Sequence, residues 1–128
     1  MNSNQYYPGM EFDIPKEDKT PNKSVNKVGN ILSYTQEVKD EDEVLIKFEA
    51  SWCMPCKAMA SIVEDFASKH PKIKVLAVDI DGEGFDELLT EYKVSSLPMF
   101  IYLKSGKVAA TAYGTNSKSE LHTLVTDV

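Results

Sequence analysis

The chain is 128 residues long, 42% apolar, and carries a formal net charge of -6. That length suits one ordinary domain with a real hydrophobic core. No apolar run approaches the about 18 residues of a membrane span, and the acidic balance lacks the basic footprint that phosphate backbones demand, so neither membrane nor nucleic acid is an expected partner.

Residues 1–22 read as a flexible N-terminal extension, because Pro8, Pro15 and Pro21 punctuate them and no period of 2 or 3.6 persists. The stretch YYPGMEF (6–12) is either a sticky patch in that extension or a short docking segment. The opening MNSNQYYPGM has no basic region followed by an apolar stretch, so no secretory signal is expected. With only two cysteines, this points to a reducing, cytoplasmic setting.

A domain over 23–128 follows. Val25 and Val28 suggest a first strand, and ILSYTQEVK (31–39) a short helix with Ile31, Tyr34 and Val38 on one side. VLIKFEA (44–50) reads as a buried strand. KAMASIVEDFASKH (57–70) predicts a helix carrying Met59, Ile62, Val63 and Phe66 inward, stopped by Pro71. IKVLAVDI (73–80) is another buried strand, EGFDELLTEY (83–92) a helix, and SSLP (95–98) a break. MFIYLK (99–104) and KVAATAY (107–113) form a hairpin about Ser105-Gly106, ended by Gly114. Ser117 and Glu120 make a capping box for a last helix, with Leu121, Leu124 and Val125 inward. Alternating strands and helices, then a hairpin and one helix, predict an α/β fold with a mixed sheet.

The chemistry concentrates in ASWCMPCKAM (50–59), which holds both cysteines. Tetrahedral zinc needs four ligands. Cys53 and Cys56 supply two, but His70 and His122 are too far apart in sequence to complete a finger, so no metal is expected. His70 reads as a partner for a helix C-terminus and His122 as a surface residue. A strand ending near Ala50, then C-x-x-C, then a helix starting near Cys53 is a redox arrangement. A thiol at a helix N-terminus ionises more easily, and the spacing brings the second sulfur within bonding distance. The first sulfur is expected exposed and the second deeper. Pro55 fits the first helical turn, where its missing N–H costs little.

W-C-M-P-C-K (52–57) resembles the W-C-G-P-C-K motif of the thioredoxin family. VSSLPMF (94–100), the Lys104–Lys107 hairpin, Gly114 and the closing helix are similar as well, so the likeness covers about 23–128. The resemblance implies a thioredoxin fold, with a mixed four- to five-stranded sheet flanked by helices on both faces. It implies a protein-disulfide reductase in which Cys53 attacks a substrate disulfide and Cys56 resolves the mixed disulfide, leaving Cys53–Cys56 oxidised. No cofactor is implied beyond that redox-active disulfide. Pro98 would be cis and leave the Leu97 backbone open to an added substrate strand. Trp52, Met54, Pro55, Leu97, Pro98 and Gly114 would shape the docking surface. The implied partners are disulfide-containing client proteins and a thioredoxin reductase or equivalent electron donor, and the implied state is a monomer. Plainer readings make Trp52 core, Pro98 a trans turn residue, Gly114 a strand end and Lys57 a solvated helix residue.

Three positions depart from the family. Met54 replaces a glycine, Glu49 replaces a tryptophan, and Lys47 stands where the family carries a buried aspartate, faced by a lysine at the position of Ala77. Residues 47 and 49 share one face of a strand. Lys47 and Glu49 are therefore candidates for proton transfer, Glu49 taking the proton of Cys56 while Lys47 holds its charge; the plain alternative is two residues turned to solvent. An isomerase or oxidant on the same fold, and a non-catalytic thioredoxin-like scaffold subunit, are the rival functions.

Overall fold

Chain order gives β1 (Val25–Asn30), α1 (Ile31–Val38), β2 (Glu43–Glu49), α2 (Met54–Ala58), α3 (Ala60–Lys69), β3 (Lys74–Glu83), α4 (Asp86–Glu91), β4 (Met99–Lys104), β5 (Lys107–Tyr113) and α5 (Lys118–Thr126). This computed structural model describes residues 25–126. The extension expected over 1–22 lies outside the described residues.

The five strands form one sheet in the order β1-β3-β2-β4-β5. β3 runs parallel to β1 and β2, while β4 is antiparallel to both β2 and β5. A parallel neighbour needs a crossover, and the helices that provide it cover the sheet faces. The apolar run in β2 then sorts by parity. Val44, Ile46 and Phe48 pack with Tyr34, Phe85 and Leu88 beneath α1 and α4. Leu45 points the other way, to Met59, Val63, Phe66 and Leu121 of the α3 and α5 layer. Lys47 and Glu49 share the parity of Leu45 and so lie on the α2–α3 side of the sheet.

The hairpin matches its expectation to the residue. Ser105 and Gly106 both have positive φ, 51° and 81°, as a two-residue turn that follows the sheet twist requires. The capping box also forms: Ser117 N–H donates to Glu120 Oε1 at 2.6 Å and Glu120 N–H to Ser117 Oγ at 3.1 Å.

Two elements differ. β3 continues to Glu83, so α4 starts at Asp86 rather than Glu83. Asn30 of β1 pairs with Glu83 past a bulge, and Gly82 lies so close to β1 that a Cβ there would collide with the Gly29 carbonyl. That backbone pairing extends a polar stretch no apolar pattern marks. The helix expected over 57–70 is two helices, meeting at Met59. Breaks of this kind arise where a side chain inserts into the helical ladder. Here the Lys47 ammonium donates to the Cys56 carbonyl at 2.9 Å, beside the break.

Candidate active site

β2 ends at Glu49 and the chain turns through Ala50–Trp52 into Cys53, which caps α2. Cys53 N–H donates to the Ala50 carbonyl at 3.1 Å, which tightens that turn. Cys53 and Cys56 are joined by a disulfide, with Cα atoms 5.3 Å apart. The Cys53 sulfur also accepts from the Cys56 N–H at 3.2 Å, satisfying one of the unpaired donors at the helix start. Pro55 sits in that first turn. Both cysteines are enclosed: Cys53 is 5% exposed and Cys56 2%, packed with Ala50 against Ile80 and Leu97. The expected difference in depth is thus small in the disulfide form, where both cysteines pack on the same apolar wall.

What separates the two sulfurs is direction. Cys53 lines a groove of about 550 Å³ with Trp52, Met54, Pro55, Val94 and Leu97. Cys56 lines a second groove, of about 410 Å³, with Lys27, Lys47, Glu49, Lys57 and Asp79. The first has no charged side chain in its lining, whereas the second sets those five charges among Val28, Ala50, Ala60 and Ala77.

On the apolar side, Trp52 is 63% exposed and Met54 69%, so neither is core. The Trp52 indole donates to Asp81 Oδ2 at 2.9 Å, which holds the ring at the rim. The Leu97–Pro98 bond is cis. Gly114 has φ +75° and its N–H donates to the Pro98 carbonyl at 2.8 Å, so it does more than end β5. Trp52, Met54, Pro55 and Leu97 come together on one groove, with Pro98 and Gly114 bonded to each other behind Leu97.

On the charged side, the Lys47 side chain is 4% exposed and its ammonium lies 2.8 Å from Glu49 Oε1. The alternative of two solvated side chains fails for Lys47. Parallel register sets Lys47 opposite Ala77 and Glu49 opposite Asp79. The small Ala77 leaves room for the long lysine stem on the neighbouring strand.

His70 and His122, distant in sequence, meet on the far side of α3. His70 Nε2 and His122 Nδ1 are 3.0 Å apart, and His70 Nδ1 lies 2.9 Å from the Phe66 carbonyl. Among the described residues no group of three or more His, Cys, Asp or Glu side chains is arranged to hold a metal.

Ile80, Val94, Asp81, Lys27 and Asp79 were not readable as site residues. Only the paired aspartates at the end of β3 hinted at them, and their meaning depends on the strand register.

The thioredoxin family profile matches residues 24–127. The chain belongs to the thioredoxin family. Thioredoxin-1 of Drosophila melanogaster is 36% identical over 80 residues, covering 62% of this chain and 74% of its own. Thioredoxin of Chlamydia trachomatis is 38% identical over 82 residues, covering 64% and 78%. Among solved structures, the thioredoxin of Trypanosoma brucei brucei superposes with a TM-score of 0.72 at 28% identity, covering 89% of this chain and 96% of that one. Oxidised mitochondrial thioredoxin 3 of Saccharomyces cerevisiae gives 0.71 at 25% identity, covering 85% and 100%. The five-stranded mixed sheet is the thioredoxin fold. A family C-x-x-C pair closed as a disulfide makes the chain a thiol–disulfide oxidoreductase, a protein-disulfide reductase of the thioredoxin type. Its substrates are disulfides, and a reductase returns it to the dithiol. Relatives include a mitochondrial form from rice, so membership does not fix a compartment. Among the described residues no helix is long and apolar enough to cross a membrane.

Proposed function

We propose that Cys53 is the attacking thiolate and Cys56 the resolving thiol in the reduction of protein disulfides. The observation that carries this reading is the placement of Cys53 on the apolar groove and Cys56 on the opposite one. A client disulfide approaches over Trp52, Met54, Pro55 and Leu97. Cys53 S⁻ attacks one client sulfur and the other client sulfur leaves as a thiolate that takes a proton. Cys56 loses its proton and attacks the Cys53 sulfur. The second client sulfur then leaves, so the client gains two electrons and the Cys53–Cys56 bond forms. Backbone around Leu97 receives the client as an extended strand, and Pro98 and Gly114 support that backbone through their mutual hydrogen bond.

The partners are disulfide-containing client proteins and a thioredoxin reductase or equivalent donor. The protein works as a monomer, without cofactor beyond its disulfide, in the cytoplasm. The use of both cysteines in the one dithiol supports a reducing compartment.

The equilibrium reduction potential of the Cys53–Cys56 couple in a defined thiol buffer tests the direction of electron flow. Trp52 fluorescence is the probe. A value near the roughly -270 mV typical of thioredoxin agrees with a reductant. A value near about -180 mV or higher replaces that reading with an isomerase or oxidant.

A further inference from the structure

We propose that the Lys47 ammonium acts as the positioning residue of the resolving thiol, favouring the Cys56 thiolate through its positive charge. This rests on the reading of Cys56 as the group that resolves the mixed disulfide.

The ammonium is almost wholly enclosed and donates to the carbonyl of Cys56 itself at 2.9 Å. The ammonium is thus fixed on the backbone of the residue that carries the thiol, in the same groove, and a neighbouring cation favours the ionised form of a thiol. The Glu49 carboxylate meets this arrangement through the ammonium, at 2.8 Å, and fixes where that charge sits. Other charges face the same groove: Lys27 from β1, Lys57 from α2 and Asp79 from β3. Glu64 of α3 lies beside Lys27, and burial raises its carboxyl above the ordinary glutamate value. Of these charges, Lys47 is the one bonded to the Cys56 backbone, and Lys27 is shared with Glu64. Lys47 favours loss of the Cys56 proton to solvent. It does the work by charge rather than by a base in contact with the sulfur. This reverses the roles assigned from sequence, where Glu49 was the acting group.

The step affected is the second one. Once Cys53 is joined to a client, Cys56 S–H loses its proton, the thiolate attacks the Cys53 sulfur, and the client thiolate leaves and is reprotonated. Reduced full-length protein mixed with an aromatic disulfide that releases a coloured thiol reports both steps. Cys53 attack gives the first release and Cys56 resolution the second. Both are followed against pH.

In Lys47→Met the first release keeps its rate and the second slows about tenfold at pH 7. Its pH midpoint rises about one unit, the low end of what one neighbouring charge does. The deficit vanishes at alkaline pH, where the thiol ionises unaided. Lys47→Arg restores the midpoint. A second-release profile in Lys47→Met that superimposes on the unsubstituted protein overturns the proposal, and so does slowing by the same factor at every pH. If Lys47→Met does not fold, Glu49→Gln carries the test with opposite sign. Removing the compensating carboxylate lowers the midpoint, and an unmoved or raised midpoint overturns the proposal. Absence of the first release in the unsubstituted protein overturns the underlying reading of Cys53 as well, a failure visible in a separate phase.

Discussion

The two grooves that meet at the disulfide differ in charge: the lining of one holds no charged side chain and that of the other holds five. The Cys53 groove is rimmed by an exposed tryptophan and methionine and floored by Leu97 and Ile80. The Cys56 groove is walled by lysines and carboxylates. One surface gains free energy by losing water to a partner. The other presents five charged side chains, which cost free energy to strip of water. Under the proposed function the two sulfurs, equally enclosed, do separate work: contact with clients on one side and proton handling on the other.

The largest effect expected of any substitution is loss of one sulfur. Cys53→Ser should abolish disulfide reduction, since no thiol remains on the apolar side. Cys56→Ser should keep the attack and lose the release, so that clients stay covalently joined to Cys53. Non-reducing gels of a client mixture check this: adducts that disappear with reductant are expected for Cys56→Ser and none for Cys53→Ser. Adducts of equal yield from both variants would erase the division of labour between the grooves.

Next in size is the rim. Trp52→Ala removes an aromatic that is exposed yet held by Asp81. Tryptophans so placed commonly carry about 1–2 kcal/mol of binding, hence roughly tenfold in kcat/KM. The loss should fall in KM for protein clients and leave the pH midpoint of the second release unmoved. Lys47→Met should do the reverse. A midpoint shift in Trp52→Ala would show that the two grooves are electrostatically coupled.

How much of this was legible depended on how local the cause was. The hairpin at Ser105-Gly106 and the Ser117–Glu120 box were read to the residue because each is made by neighbours in sequence. The motif Trp52–Lys57 located the dithiol because its spacing is within one helical turn. The end of β3 was missed, since Asp81–Glu83 is polar and is held as strand by backbone pairing to β1. The break at Met59 was missed because an apolar period of three and four continues through it, while the Lys47 ammonium that bonds the Cys56 carbonyl beside it lies on β2. Of the charged groove, Lys47 and Glu49 were read as neighbours on one strand face, while Lys27 and Asp79 escaped for the same reason. Its members come from three strands and a helix, and only the parallel register that sets Glu49 beside Asp79 brings them together.

A smaller effect is expected at Met54. Met54→Gly should leave both releases intact and alter client preference by about threefold, the share of one adaptable side chain at a rim. It should also cost about 0.5–1 kcal/mol of stability, because glycine loses more backbone freedom in the first turn of α2. Equal turnover of dissimilar clients by both forms would remove Met54 from the docking surface.

The smallest effect belongs to Glu64, at the back of the charged groove. Its Oε1 is buried without a hydrogen-bond partner. Burial raises the carboxyl above its ordinary value, and Lys27 opposes that rise. A raised acid binds more protons folded than unfolded. Stability is therefore retained below the ordinary glutamate value and lost as pH climbs through the raised one, so at neutral pH Glu64 destabilises the fold. Glu64→Gln should raise Tm by ~1–3 °C at pH 7 and leave it unchanged well below the ordinary value, as thermal scans at the two pH values would register. Lys27→Met should lower Tm at pH 7, because the carboxylate then loses a cation that offsets its burial. If both substitutions leave Tm unmoved at neutral pH, Lys27 and Glu64 are electrically silent, and the charged groups that matter to Cys56 are Lys47 and its partner Glu49.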